Sequence, residues 1–347
     1  MSKCPGCLRE TKSTKPQFCA KCRVLLFEGG KVAPVLSFSL NDVPHQPEQA
    51  TVETIKRISI SGVQFKVSLL LSNNQLEISG ARGPLEFILK PPPRGFDIKH
   101  PEAVPANEHL TMQIAHQIFG LRTAANAYLH FADTQTGAYI TRRFDVTAAG
   151  RLAQEDFAQA DNRSKATHGV NFKYETSHEY ISDIIKRAVT TVPLALDEFF
   201  RLTLFNYLIS NGDAHMKNFS RYRLPNGEYQ LTPAYDLLNT ALHVNDGNGL
   251  ALDLFADDHE TPSFAANAFL AYDDFRELGR RLGLPLSRVK KLLADIGQHE
   301  AKIQGLIDRS FLPPALQARY TAVVADRRQR LHYSLAADSP ANDRQQG

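Results

Sequence analysis

Residues 194–210 are apolar on nearly every face, with Phe199, Phe200, Leu202, Leu204, Phe205, Tyr207, Leu208 and Ile209 in succession. A helix without a polar face has to be enclosed by other protein elements. The downstream sequence supplies them, because amphipathic patterns predict helices at about 271–282, 286–296 and 314–332. The upstream half reads differently. From Ile58 to Leu71, β-branched and alternating residues predict two strands around a turn at Ser61-Gly62, and further short strands fit 74–80 and 85–90. Three prolines at 91–93 end the extended run. A helix is expected at about 106–119, one face marked by Leu110, Ile114, Ala115 and Ile118, followed by strands at 126–131 and 138–144. The expected fold class is α+β and bilobed, a small β-rich lobe followed by a helical one. At ~150 residues per domain, 347 residues suit this plan with a small extra piece. The predicted divisions are 1–35, 36–145, 146–337 and a polar tail at 338–347.

Composition narrows the class of function. Hydrophobic residues make up 43% and charged residues 22%, which excludes wholesale disorder. Forty basic residues against thirty-seven acidic ones leave +3, too little for a chain built mainly to coat nucleic acid. No apolar run approaches the ~20 residues a membrane span requires. Met-Ser-Lys-Cys-Pro opens the chain without an apolar h-region, so a cytoplasmic location is expected.

All four cysteines lie in the first 22 residues, as Cys4-x2-Cys7 and Cys19-x2-Cys22. Reducing surroundings disfavour a disulfide framework. Two CxxC pairs suit one tetrahedral Zn²⁺ instead, and Pro5-Gly6 favours a tight turn inside the first pair. A redox cluster is the other reading. The segment is also basic, which fits a solvated docking surface better than a nucleic-acid contact.

Chemistry-bearing residues concentrate just beyond the apolar helix. Asn211-Gly212-Asp213-Ala214-His215-Met216-Lys217-Asn218 sets an Asp and an Asn five apart on a loop leaving a rigid element. Apolar and extended residues then lead to Pro233-Ala234-Tyr235-Asp236. Phosphoryl transfer from ATP needs such a set: one carboxylate at the substrate hydroxyl, and an amide oxygen with a second carboxylate to hold Mg²⁺. The D-x4-N spacing equals that of a protein-kinase catalytic loop, although the preceding His-Arg is absent. Alone it also fits an ordinary Asn/Gly/Asp turn.

The first lobe offers the complementary groups. Lys90 closes the run Phe87-Ile88-Leu89, where a kinase carries its phosphate-neutralising lysine, and Glu108 opens the only helix predicted in that lobe. Taken singly, they equally suit a strand-end surface lysine and a helix-start acid. Ser59-Ile60-Ser61-Gly62-Val63-Gln64 stands where a phosphate-covering loop would lie, with one glycine rather than a G-x-G-x-x-G pattern. Arg142-Arg143-Phe144-Asp145 stands where an inter-lobe hinge would meet adenine, or is a plain strand end.

The order of Ser-Ile-Ser-Gly-Val-Gln-x-Lys, Phe-Ile-Leu-Lys-Pro, Asn-Glu-His-x-x-Met, Arg-Arg-Phe-Asp, Gln-Glu-Asp-Phe, Asn-Gly-Asp-x-His-x-Lys-Asn and Pro-Ala-Tyr-Asp resembles that of HipA-family serine/threonine kinases, toxins of bacterial toxin–antitoxin systems. The match runs from about residue 36 to 333 and looks closest to the short HipT-like branch. That branch lacks an N-terminal subdomain, and about 55 residues precede the loop here. The double CxxC is a departure from familiar members.

The resemblance implies a kinase-like fold with Asp213 as catalytic base and Asn218 and Asp236 as Mg²⁺ ligands. It implies Lys90 at the phosphates, Ser59, Ser61, Gly62, Val63 and Gln64 over them, and Phe144–Asp145 near adenine. His215 and Lys217 would give support or phosphate contact, and Ser59 and Ser61 match autophosphorylation sites. The implied partners are a protein substrate resembling an aminoacyl-tRNA synthetase and a HipB-like or small HipS-like antitoxin, with DNA reached only through the antitoxin and no membrane. Two other readings stay open: a small-molecule phosphotransferase, and a catalytically idle, DNA-bound corepressor.

Overall fold

A computed structural model describes residues 2–43, 65–78, 85–94, 98–134, 136–245 and 249–336. The predicted turn at Ser61-Gly62, the whole 59–64 loop and the tail 338–347 lie outside the described residues.

The chain starts with a two-stranded ribbon, β1 (Ser2–Lys3) and β2 (Glu10–Thr11), and a helix α1 (Ala20–Phe27) that begins directly after Cys19. The second CxxC therefore sits in a first helical turn, not in a second tight turn. Next comes an antiparallel five-stranded sheet from β3 (Val67–Ser72), β4 (Gln75–Ile78), β5 (Phe87–Lys90), β6 (Asn126–His130) and β7 (Gly137–Arg142), in the order β4-β3-β5-β7-β6. Alternation in β3 sends Val67 and Leu69 inward, where they join Phe87, Leu89, Leu129 and Ile140. Leu26 and Phe27 of α1 enter this same core, so the cysteine module packs onto the sheet.

The other sheet face takes α2 (Val104–Gln117), which has Pro105 in its first turn, where the missing N–H has no partner to lose. Leu110, Met112, Ile114 and Ala115 of α2 belong to the core of the second lobe rather than of the sheet. This helix thus joins the two lobes.

Past a hairpin of β8 (Val146–Thr147) and β9 (Gly150–Arg151), the chain becomes helical. The element order is β10 (Gln154–Asp156), short helices α3 (Phe157–Ala160) and α4 (Lys165–His168), α5 (His178–Ala188), then α6 (Val192–Leu208). Strand β11 (Ser220–Arg223) pairs with β10 on one side and with β12 (Tyr229–Leu231) on the other in a small antiparallel sheet. Helices α7 (Pro262–Asn267), α8 (Tyr272–Arg281), α9 (Leu286–Ile296), α10 (Glu300–Asp308) and α11 (Pro314–His332) follow. The all-round apolar helix is α6, enclosed by α5, α9 and α11 as its composition requires. No helix among the described residues is long and apolar enough to cross a membrane.

His109, His178 and His243 are sealed inside this packing, and burial lowers the pKa of each to about 4. They are neutral in the fold, whereas the unfolded chain protonates them below about 6.5. The unfolded state therefore binds more protons between about pH 6.5 and 4, and stability falls through that window as the pH drops. The loss reaches at most about 1.4 kcal/mol per pH unit for each histidine. Thermal melts should show Tm declining from about pH 6.5 downward. A Tm that stays level to about pH 5 would contradict the assignment.

Candidate active site

Helix α6 ends at Leu208, and Ser210 (φ +54°) turns the chain into Asn211-Gly212-Asp213. Two tethers fix this loop. Asn211 Nδ2 donates to Asn206 Oδ1 at 3.1 Å, and the Gly212 N–H donates to Thr240 Oγ1 at 2.7 Å. Because Thr240 follows Asp236 by four residues, the second tether locks the two acidic loops to each other. One helical turn, Met216–Asn218, then presents Asn218 before β11 begins. The β11–β12 hairpin returns the chain to Asp236, whose φ of +55° is the left-handed conformation that Asp tolerates better than most residues.

These turns bring Asp236 into contact with Asn218 and Lys90, with Asp213 five residues before Asn218 on the same loop. Asn218 Nδ2 donates to Asp236 Oδ2 at 3.2 Å. Lys90, the last residue of β5, hydrogen-bonds Asp236 Oδ1 and reaches Glu108 Oε1 of α2 at 2.5 Å. Lys90 and Glu108 are both buried. Burial alone would lower the Lys90 pKa, but the Asp236 and Glu108 carboxylates outweigh it and hold the ammonium above its ordinary value. Burial pushes Glu108 up to about 7 even against the Lys90 charge, since Asp236 also faces it.

Asp213 is 7% exposed and accepts a hydrogen bond from the Tyr174 hydroxyl at 2.7 Å. His215 Nε2 lies 4.0 Å from Asp213 Oδ1 and accepts from Lys173 Nζ at 2.9 Å. Burial, then the Lys173 charge, lowers the His215 pKa to about 3. His215 is therefore a neutral spacer, not a proton carrier near pH 7. Lys217 points outward, its Nζ 3.9 Å from Asp156, and lines a cavity of about 610 Å³ together with Arg143, Asp145, Gln154 and Tyr235. The Phe144 ring packs against Tyr235 with centroids 5.9 Å apart. Asp145 is engaged by Arg143 (2.7 Å) and Arg151 (2.9 Å), which ties the end of β7 to β9. Ser59, Ser61, Gly62, Val63 and Gln64 lie outside the described residues, but the chain resumes with Lys66 Nζ 3.5 Å from Asp236.

Tyr174 and Lys173 are site residues that the motifs do not mark, and Lys66 is one to which the sequence assigns no role. Tyr174 and Lys173 come from an irregular segment about 40 residues before Asp213. Lys66 has one sequence signal, its place as the last residue of Ser-Ile-Ser-Gly-Val-Gln-x-Lys, two positions after the 59–64 loop.

Asp236 and Asn218 are residue types that can hold a hard divalent cation such as Mg²⁺; here Asn218 turns its Nδ2 to Asp236, and its Oδ1 accepts from the His215 N–H at 3.1 Å. At the other end of the small lobe, the sulfurs of Cys4, Cys7, Cys19 and Cys22 all lie within 4.8 Å of one another. The thiols of Cys22 and Cys7 hydrogen-bond the Cys4 sulfur and lower its pKa, and the contact with Cys4 raises that of Cys22. Cys19 is the N-cap of α1. Four clustered sulfurs with a helix N-terminus beside them fit a soft, tetrahedral metal such as zinc.

Comparison with known proteins bears on the family and the fold. The description "HipA-like C-terminal domain" matches residues 58–303. A putative kinase of Haemophilus influenzae is 29% identical over 314 residues, 86% of this chain and 87% of that protein. The serine/threonine-protein kinase toxin HipA of Shewanella oneidensis is 27% identical over 266 residues, which span 71% of this chain and 57% of the toxin. The solved complex of Shewanella oneidensis HipA, HipB and operator DNA contains a chain that superposes with a TM-score of 0.65 at 23% identity, covering 84% of this chain and 68% of that one. The bilobed, kinase-like fold predicted from the sequence is the one observed. The chain belongs to the family of proteins with a HipA-like C-terminal domain.

Proposed function

We propose that the chain is a Mg-ATP-dependent serine/threonine protein kinase and the toxin of a bacterial toxin–antitoxin pair. The observation that carries this reading is the contact of Asp236 with Asn218 and with Lys90 of the Lys90–Glu108 pair, Asn218 lying on the same loop that holds Asp213 against Tyr174. Asp213, oriented by Tyr174, receives the proton of a substrate hydroxyl. Lys90 places its charge at the nucleotide phosphates, and Glu108 keeps that lysine extended. Asp236 and Asn218 would hold magnesium, which when bound would supply charge neutralisation for phosphoryl transfer. Phe144 packs at the adenine end, Asp145 fixes the strand end beside it, and Lys217 reaches phosphate or substrate across the 610 Å³ cavity. Catalysis is then positioning and electrostatics, with no covalent enzyme intermediate.

The units are a zinc knuckle at 1–35, a small lobe to 145, a helical lobe to 337 and a tail. The protein substrate is a translation component such as an aminoacyl-tRNA synthetase, and the partner is a HipB-like or HipS-like antitoxin that alone touches DNA. The HipT-like branch is the nearest placement. Ser59 and Ser61 are autophosphorylation sites, as the family resemblance implies. A phosphate there adds about −1.5 to −2 charges beside the ATP phosphates and acts as an off-switch.

Incubation with Mg-ATP and cognate lysate tests the reading. Phosphosites on a protein target should appear and vanish with Asp213→Ala. Phosphate on a metabolite alone would favour the small-molecule phosphotransferase, and no ATP turnover the idle corepressor. In the same incubation Ser59 or Ser61 should gain phosphate, and Ser59→Ala/Ser61→Ala should stay active longer than wild type.

The four cysteines hold one structural Zn²⁺. Metal analysis should find about one equivalent per chain, because a Cys₄ site couples zinc affinity to local folding. Less than half an equivalent in freshly purified protein would count against it.

A further inference from the structure

The cysteine module sits against the helix that carries Glu108. We propose that the zinc centre is a positioning device for catalysis, which sets the rotation of α2 through His109 and so holds Glu108 on Lys90. This rests on the zinc and kinase readings above.

Three consecutive carbonyls of the first CxxC turn are spent on the small lobe. Pro5 O accepts from the Tyr128 N–H of β6 at 3.0 Å, Gly6 O from His109 Nε2 at 2.9 Å, and Cys7 O from Gln117 Nε2 at 2.9 Å. His109, Gln113 and Gln117 stand four residues apart, one stripe along α2. Gln117 also donates to Gln113, which donates to Asn126 of β6 at 2.9 Å. The stripe facing the knuckle is therefore polar and bonded at both ends. His109 is fully buried, and burial keeps it neutral, so its Nε2–H is a donor to Gly6.

The knuckle end of these bonds has little freedom. A Cβ on Gly6 would stand 2.8 Å from Cys22 Sγ, so this turn is closed directly over the second cysteine pair. Leu8, just past Cys7, holds a left-handed φ of +61° while fully buried in the core that includes Leu110 and Met112. A leucine adopts that conformation only where surrounding structure imposes it. On the other side Lys3 donates to Ser310 O at 2.5 Å and lies 4.3 Å over the Phe311 ring, which stacks on Tyr128 at 4.5 Å. The knuckle thus grips α2, β6 and the helical lobe together.

Rotation of α2 is the sensitive coordinate. Glu108 and His109 are adjacent, so one faces Lys90 while the other faces the knuckle. A side-chain end roughly 5–6 Å from the helix axis moves about 2 Å for a 20° turn. That is enough to break a 2.5 Å contact between Glu108 and Lys90. Four thiolates drawn to one metal keep residues 4–8 in a single conformation. Without that constraint, Gly6 O no longer presents a fixed acceptor to His109.

Hydrogen exchange on the full chain, with zinc analysis and ATP turnover in parallel, tests this. Chelating zinc from the wild type should speed exchange of α2 amides about tenfold, leave α6 unchanged, and cut turnover about tenfold, all restored by adding zinc back. His109→Leu should keep its zinc, exchange fast at α2 from the start and no longer respond to the metal. His109→Gln, which retains an N–H donor, should behave as wild type. Exchange at α2 that ignores zinc removal, or a His109→Leu chain that still responds, would overturn the proposal. So would wild type without zinc, which sinks the zinc reading too. Wild type that binds zinc yet turns over no ATP overturns the kinase reading, and the exchange result still decides this one.

Discussion

Asp213→Asn should lower phosphoryl transfer by about 10²–10⁴-fold, the range expected when a positioned general base is removed. The loss should fall on kcat, with KM for ATP nearly unchanged, because the proton acceptor matters only in the transition state. The substitution is nearly isosteric, and the Tyr174 hydroxyl can still donate to the amide oxygen, so the melting temperature should barely move. Asp236→Asn should also abolish transfer but with a different signature. It removes a charged ligand of a hard cation, so the apparent affinity for Mg-ATP should weaken along with kcat. Asn is the right probe because it also tolerates the φ of +55° at this position, whereas Ala would add backbone strain. Steady-state kinetics on the two variants separates the roles. Wild-type turnover in either one would sink the kinase mechanism.

What could be read in the sequence was what is local. Helices α9 and α11 carry apolar periodicity throughout and stand at 286–296 and 314–332 as predicted. The two acidic loops were legible for the same reason, since Asp213 and Asn218 share one short segment and Tyr-Asp follows a strand pair. Helix α5 was not predicted, although Ile181, Ile184, Ile185 and Ala188 stand at helical spacing behind the Ser177 cap. Helix α1 was masked by its cysteines, whose spacing suggested a turn. The tertiary partners were beyond reach. Tyr174 meets Asp213 across 39 residues with no periodicity or motif to link them, and Lys66 meets Asp236 across 170, a pairing that the motifs containing them do not specify. The link between His109 and Gly6 spans 103 residues and joins two features that read as independent modules.

That the lobes share a helix explains why the site is more than a set of motifs. Glu108 lies in the small-lobe helix, yet its neighbours Leu110, Met112 and Ile114 pack into the helical lobe. Lys90 belongs to the sheet and Asp236 to the helical lobe, and Lys90 bonds to both carboxylates. The buried ion cluster therefore closes only when sheet, α2 and the Asp236 loop are all in place. Phosphoryl-transfer competence and lobe packing depend on the same side chains.

Lys90→Met should consequently cost both activity and stability. Removing the ammonium leaves Glu108, 2% exposed, without its cation, and breaking a buried pair from one side costs about 3–5 kcal/mol. Glu108 already sits at about 7, so in the variant it rises further and takes up a proton. A folded-state carboxyl above its unfolded value binds more protons folded than unfolded, so the variant's deficit should grow as pH rises, by up to about 1.4 kcal/mol per unit. Denaturant melts at about pH 6 and about pH 8 should show the larger gap from wild type at the higher pH. The double variant Lys90→Met/Glu108→Gln removes the stranded charge as well. It should regain most of the stability, because Asp236 keeps Asn218 and Lys66. It should not regain activity, because no cation then faces the nucleotide phosphates, and turnover should stay down by about 10²-fold or more. A double variant that recovers turnover together with stability would show that Lys90 serves the fold and not the phosphates.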